Sequence, residues 1–326
     1  MSASSNGEER FVGVDVGGTK VAAGTVTSAG QIVHHLRVPM NARGSAEDGL
    51  ASVLAAIDSI LVQEDKSIIR GIGICAPGPL DPQSGVILNP PNVPCWRNFP
   101  LAAEVRKRYG VTVKVDNDGK AAALAEALWG AGRGYRNIFY ATVGTGIGSG
   151  FVQDGRLYYG RTGAAFEGGH VSIDLNGPVC NCGKKGCIEV LASGTAIGRR
   201  ARARVAAEPV RAHALLALAV GNPEQIRSEL VGKAAAAGDL LAKEVLDETV
   251  QFLAVWLGNI VDLLEPDVII LGGGVSETLC PFFSDLQDRM APWCINARYK
   301  EIPIALAHYG AHSGIAGGAA LLHSPQ

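Results

Sequence analysis

Phe11–Lys20 reads Phe-Val-Gly-Val-Asp15-Val-Gly17-Gly18-Thr19-Lys20, an apolar run closed by two glycines, a hydroxyl and a cation. The run is short, so it predicts a buried strand that ends in a tight turn. Glycine backbone admits phosphate oxygens at close range, Thr19 adds a hydroxyl and Lys20 a positive charge. Asp15 is suited to hold Mg²⁺, directly or through water. The spacing is not the Gly-x4-Gly-Lys-Ser/Thr of a Walker loop, and no Gly-x-Gly-x-x-Gly opens a helix here. Taken alone, the stretch equally fits an ordinary glycine hairpin.

Outward from it, Val21–Val26 and Gln31–Val38 are expected as strands around a Ser28-Ala29-Gly30 hairpin turn. Ser45 is expected to cap a helix to about Val62, with Asp48 three residues on. Ile69–Cys75 reads as a strand broken by Ala76-Pro77-Gly78-Pro79, and Leu101–Tyr109 as a helix stopped by Gly110. Val111–Val115 is a strand ending in Asp116-Asn117-Asp118, followed by an Ala-rich helix over Ala121–Trp129.

The opening pattern then recurs. Ile138–Val143 runs into Gly144-Thr145-Gly146-Ile147-Gly148, followed by strands at Gly150–Val152 and Arg156–Tyr159 about an Asp154-Gly155 turn. Strand, glycine-threonine turn, strand, hairpin, strand is the order of Phe11–Val38, which predicts an internal duplication. Helices are expected at Gly194–Ala206, Ala212–Leu218, Pro223–Ala237 and Leu240–Leu264, a buried strand at Asp267–Leu271 before Gly272-Gly273-Gly274, and a final helix at Gly314–Leu322. The class is α/β in two lobes.

Bulk properties narrow the function. Hydrophobic residues make up 47% of the 326 and charged ones 18%, enough apolar mass for a sizeable core. A formal net charge of -2 argues against nucleic acid as the main partner. The local run Arg199, Arg200, Arg202 and Arg204 reads as the solvated face of a helix. No apolar run is long enough to span a bilayer, and Met1–Arg10 lacks a secretory pattern and is expected to fray. The seven cysteines, three of them within Cys180–Cys187, suit a reducing compartment and a metal site rather than a disulfide framework. These features predict a cytoplasmic enzyme.

Two glycine turns at strand ends, Gly17-Gly18-Thr19-Lys20 and Gly144-Thr145-Gly146, suit the grip of one polyphosphate, and Gly272-Gly273-Gly274 offers flat backbone to an adenine or ribose. Phosphoryl transfer to a hydroxyl needs a carboxylate in hydrogen-bond reach, and Asp118 is the candidate base with Asn117 as a sugar partner. Asp116 competes for that role, and the same triplet also reads as a helix cap. His170, Cys180, Cys182 and Cys187 form a closed four-ligand Zn²⁺ set with no open position for water, so the metal is expected to be structural. Glu167 and Glu189 flank it as acceptors for sugar hydroxyls, and His170 has a second ring nitrogen for the sugar.

Together these residues resemble the ROK family (repressors, open reading frames, kinases) over nearly the whole chain. Asp15–Lys20 resembles its first phosphate motif, Asn117-Asp118 its catalytic pair, Leu271–Gly274 its nucleotide-side glycines, and Glu167-x-Gly-His170 with Cys-x-Cys-Gly-x-x-Gly-Cys-x-Glu189 its zinc and sugar signature. The resemblance implies an actin/hexokinase-like (ribonuclease H-like) fold, with a mixed sheet flanked by helices in each lobe and ATP·Mg and sugar in the cleft. It implies a small lobe at 1–120, rejoined by 312–326, and a large lobe at 121–311 that carries the zinc site. It further implies proton removal by Asp118 from a hexose C6 hydroxyl, and a homodimer or homotetramer.

Bacterial glucokinases of the family are the nearest in look. Asn89-Pro-Pro-Asn92-Val-Pro-Cys-Trp96 resembles one of their segments and makes Asn92 a candidate sugar contact. Fructose, mannose, N-acetylglucosamine and N-acetylmannosamine are alternatives to glucose. Gly119-Lys120 departs from the family's Ala-Asn; Lys120 is expected to point to solvent, with Asp116 or a phosphate as other partners. A sugar sensor or repressor is disfavoured, because the first phosphate strand begins at Phe11, where repressors carry a helix-turn-helix, and because the catalytic pair is intact.

Overall fold

The structure, a computed structural model, describes residues 9–323. Most of the expected frayed N-terminus, residues 1–8, lies outside the described residues. The chain forms two compact units: Met1–Arg136 with Gly150–Phe166 and Ala311–Gln326, and Asn137–Ser149 with Glu167–Gly310.

The first unit opens with an antiparallel meander, β1 (Arg10–Val16), β2 (Lys20–Thr27) and β3 (Ile32–Pro39). Helix α1 (Ala46–Leu61) follows, with a reciprocal capping box in which Ser45 Oγ accepts from Asp48 N at 3.1 Å and Asp48 Oδ2 from Ser45 N at 2.8 Å. β4 (Ile69–Ala76) runs parallel to β1. A two-stranded ribbon, β5 (Leu80–Asp81) and β6 (Val86–Ile87), leads to α2 (Leu101–Tyr109), β7 (Thr112–Asn117) and α3 (Asp118–Trp129). β7 is parallel to β4, giving the sheet order β3-β2-β1-β4-β7.

Strand alternation assigns the sheet's two faces. Val12, Val14, Ile72, Ile74, Val113 and Val115 share one core with Val53, Ile57 and Ile60 of α1. The opposite face carries Gly13 and Gly73, and the last helix of the chain lies directly on it. A Cβ on Gly73 would come 1.8 Å from the carbonyl oxygen of Gly318, so only glycine lets backbone meet backbone there.

The second unit begins with β8 (Asn137–Val143) and β9 (Ile147–Gln153). The end of β9 belongs to the first unit, where it pairs with β10 (Arg156–Leu157). Helices α4 (Ile188–Ala192), α5 (Gly194–Ala207), α6 (His213–Leu218), α7 (Ser228–Ala236) and α8 (Leu240–Leu264) precede β11 (Val268–Gly272). Helices α9 (Gly274–Leu279) and α10 (Phe283–Arg289) and strand β12 (Ile304–Leu306) follow, and α11 (Ser313–Leu321) returns to the first unit. The second sheet runs β10-β9-β8-β11-β12, with β11 parallel to both β8 and β12. Both sheets therefore have the order third, second, first, fourth, fifth strand. Among the described residues, no helix is long and apolar enough to cross a membrane.

Several expectations change. The first unit extends to Arg136 and takes in 150–166, beyond the expected boundary at 120, because α3 packs on α11, with Gly317 against the backbone of Ala121 and Ala122. β9 starts at Ile147, so Ile147 and Gly148 leave the turn, and β10 stops at Leu157. Pro223–Ala237 is not one helix. A single 3-10 turn at Pro223–Gln225 is separated from α7 by extended backbone at Arg227.

The arginine run is likewise not a plain solvated face, because α5 packs on α8. Arg200 donates to Val245 O at 3.1 Å and to Thr249 Oγ1, and its side chain is 17% exposed. Arg202 donates to Ile226 O at 2.8 Å, and Arg204 pairs with Glu248 at 2.5 Å.

Candidate active site

Three parallel strands of the first unit end together. Asp15 of β1 is in register with Cys75 of β4, and Cys75 with Asp116 of β7. Carboxyl ends of parallel strands are where α/β sheets present chemistry. The Cys75 thiol registers the result: burial first, then the carboxylates of Asp15, Asp118 and Asp116, push its pKa well up.

Helix α3 starts three residues before the expected Ala121, because Asn117 is its N-cap. Asn117 Oδ1 accepts from Gly119 N at 3.0 Å and Lys120 N at 3.3 Å. The cap thus engages the amide oxygen of Asn117 and leaves its NH2 group as a donor. Asp118, the next residue, is exposed in the first helical turn, where the helix dipole favours negative charge.

Asp116 is built differently. It is buried, its Oδ1 accepts from Asn117 N at 2.7 Å and its Oδ2 from the Tyr159 hydroxyl at 2.6 Å. Burial raises its pKa, against the lowering effects of Tyr159, Asn117 and Lys120. Both oxygens are occupied by donors, so its geometry is that of a brace under Asn117. Lys120 does not point to solvent. It is 4% exposed, donates to the Gly163 carbonyl and lies 6.0 Å from the centre of the Tyr159 ring. The helical start at Asp118 turns Lys120 inward, toward the loop that follows β10.

The first glycine turn is closed by Gly17 N donating to Lys20 O at 2.9 Å. Thr19 and Lys20 are exposed beside it, and a Cβ on Gly18 would come 2.6 Å from the Asn92 carbonyl, so exposed Asn92 borders this turn. Burial, and next the Asp118 charge, push the Asp15 carboxyl up to about 6 against the opposing pull of Lys20 and Arg37.

The second unit brings the other two glycine turns together. Gly144 N donates to Gly146 O at 2.9 Å, and Gly144 O accepts from Gly194 N at the start of α5 at 2.7 Å. Gly272 is in register with Thr142, and Gly273, at φ 85°, has the Val143 carbonyl 2.5 Å from where a Cβ would lie. Gly272, Gly273 and Gly274 therefore lie beside the end of β8 that carries Gly144, Thr145 and Gly146.

The same unit gathers His170, Cys180, Cys182 and Cys187, whose ligand atoms all lie within 4.8 Å of one another. Cys180 Sγ is 3.6 Å from His170 Nδ1, and Cys182 Sγ is 3.6 Å from Cys187 Sγ. A tetrahedral centre with metal–sulfur bonds of about 2.3 Å and a metal–nitrogen bond of about 2.0 Å separates its ligands by roughly 3.5–3.8 Å. The spacing and the soft donor set fit Zn²⁺, and the sulfur separation is far beyond a disulfide's. With Nδ1 turned to the cluster, Nε2 of His170 is left for another partner.

The two glutamates differ. Glu167 is exposed, and its carbonyl accepts from His170 N at 3.0 Å. Half-buried Glu189 lies in the first turn of α4, and its Oε2 accepts from Ile147 N at 2.9 Å, which ties it to β9. Gly168 N donates to Ser149 Oγ at 3.1 Å, so β9 supports the Glu167 segment as well.

Sequence reasoning missed Tyr159 and Gly163, whose partners Asp116 and Lys120 lie far away in sequence. It also missed Gly78, where a Cβ would lie 3.7 Å from Asn117 Nδ2. The paired prolines around Gly78 signalled a turn, not its neighbour.

Residues 11–324 match the ROK family. The chain belongs to this family. It is 33% identical over 315 residues to a glucokinase of Thermotoga maritima, covering 96% of this chain and 97% of that one. It is 34% identical over 316 residues to a glucokinase of Streptomyces coelicolor, covering 96% and 98%. Among solved structures, a ROK family glucokinase from Streptomyces griseus in complex with glucose and AMPPNP superposes with a TM-score of 0.85 at 34% identity, covering 96% of this chain and 98% of that one. The two sheets of shared strand order, each with its helices, are those of a ROK protein with the actin/hexokinase-like fold.

Proposed function

We propose that this ROK protein is an ATP-dependent glucokinase that phosphorylates the C6 hydroxyl of glucose. The observation that supports it most is Asp118, an exposed carboxylate that opens α3 beside the row of Asp15 and Asp116, in a chain a third identical to glucokinases. Asp118 accepts the C6 hydroxyl proton. The hydroxyl oxygen bonds to the γ-phosphorus, the bond to the β,γ-bridging oxygen breaks, and ADP leaves.

Other residues bind and orient. The Asn117 amide NH2 donates to a sugar oxygen, Asn92 borders the sugar, and Glu167, Glu189 and Nε2 of His170 bond sugar hydroxyls. Gly17, Gly18, Thr19 and Lys20, with Gly144, Thr145 and Gly146, hold the phosphates of ATP, and Gly272–Gly274 hold the adenosine. Asp15 would hold Mg²⁺, which neutralises phosphate charge when bound. His170, Cys180, Cys182 and Cys187 would hold a structural Zn²⁺, fixing the segments that carry Glu167 and Glu189. The free cysteines support a cytoplasmic location, and the family resemblance supports a homodimer or homotetramer.

A panel of hexoses with ATP and Mg²⁺, read as ADP release, tests the assignment. Glucose is expected to give the highest kcat/KM, ahead of mannose, fructose and the N-acetyl sugars. A preference for an N-acetyl sugar would overturn the substrate, and ADP release independent of every sugar would overturn the kinase.

A further inference from the structure

The first unit holds a cavity that the proposed chemistry does not use. β7 is the edge strand of its sheet, and beyond it lies a space of about 580 Å³ walled by the β5–β6 turn, α2 and the loop after β10. Gly163, at φ 87°, sets that loop against Pro82, and both residues line the space. The volume is in the range of small-molecule sites.

Its lining has a definite charge. Arg106, Lys114 and Arg161 are the cations, and Asp116, already bonded to the Tyr159 hydroxyl, is the one acidic residue among those lining it. Arg106 donates to Val113 O at 3.3 Å, which holds its guanidinium along β7. Lys114, on β7, is half-buried, and burial lowers its pKa. Ser84, Thr162 and the Tyr159 hydroxyl supply neutral polar groups. Asp118 does not line this space.

We propose that the cavity is a second ligand site, which takes a phosphomonoester of a small polyhydroxylated molecule. The phosphate lies among Arg106, Lys114 and Arg161, and the ligand hydroxyls meet Ser84, Thr162 and Tyr159. Three cations around one small space suit a dianion, and the hydroxyl groups beside them distinguish a sugar phosphate from bare phosphate. Asp116 lines the cavity and also braces Asn117, so occupancy bears on the segment that ends in Asp118.

The test is calorimetric titration of the full chain with glucose 6-phosphate and, separately, inorganic phosphate. Glucose, Mg²⁺ and a non-hydrolysable ATP analogue are kept saturating, so that the substrate sites are filled. Glucose 6-phosphate is expected to bind at least about tenfold more tightly than phosphate. The Lys114→Met/Arg161→Gln double variant is expected to weaken it by about tenfold or more with unchanged glucose affinity. Arg161→Gln alone, at an exposed position, serves if the double variant does not fold. No binding with the substrate sites filled, equal affinity for the two anions, or unchanged binding in the variants would overturn the proposal. Glucose titrated without the anions checks the glucokinase reading separately.

Discussion

The Tyr159 hydroxyl donates to Asp116 Oδ2 at 2.6 Å, and the other oxygen of the same carboxylate accepts from Asn117 N at 2.7 Å. One buried carboxylate thus links the segment after β10 to the residue that caps α3 and precedes Asp118. Lys120 reinforces the link from the helix side by donating to Gly163.

Tyr159→Phe removes the donor and leaves Asp116 buried with one oxygen unbonded, a loss of about 1–3 kcal/mol. Chemical denaturation should show a stability drop of that size. Steady-state kinetics should show kcat reduced with KM for glucose little changed, since the brace acts on the position of Asp118. Wild-type stability in this variant would contradict the brace.

Asp15 couples stability to pH. Its carboxyl is raised to about 6 from 3.8, so the ionised form is the costly one in the folded chain. The contribution is fully present below about pH 4, where folded and unfolded chains are both protonated, and is lost as pH rises through about 6, amounting to about 3 kcal/mol at most. Asp15→Asn should therefore raise the Tm of the ligand-free protein at pH 8 while losing most ATP-dependent turnover. In the wild type, kcat/KM for MgATP should fall about tenfold between pH 7 and pH 5 as Asp15 takes up its proton. A destabilised Asp15→Asn protein at pH 8 would contradict this reading.

The cysteine-histidine cluster predicts about one zinc per chain in protein purified without chelator, read by elemental analysis. Cys182 is exposed, so Cys182→Ala opens no core cavity, and its effect reports the metal. Glucose affinity should drop by about tenfold or more in this variant, and likewise after chelation. Full glucose affinity in metal-free protein would contradict the supporting role.

What was legible in the sequence had local causes. The first strand and turn are a continuous apolar run followed by glycines, the α1 cap is Ser45 with Asp48, and the metal set is three cysteines close to a histidine. The repeated order of motifs pointed to an internal duplication, and the two sheets share one strand order. What was illegible depended on pairing across the chain. Tyr159 and Asp116 are 43 residues apart, and nothing near either names the other. The inward turn of Lys120 followed from α3 starting at Asp118, a boundary set by the capping oxygen of Asn117. The arginines of α5 looked solvated because their acceptors lie mainly on α8 and near α7, distant in sequence.

Proton removal by Asp118 is the central step of the proposed glucose phosphorylation, and the direct measurement compares wild type with Asp118→Asn. Formation of glucose 6-phosphate is followed beside calorimetric binding of glucose. The wild type should make glucose 6-phosphate from glucose and ATP, and Asp118→Asn should bind glucose within a few-fold of wild type while kcat falls by about 10²–10⁴. Near-normal turnover in Asp118→Asn, or phosphate on another hydroxyl of the wild-type product, would contradict it.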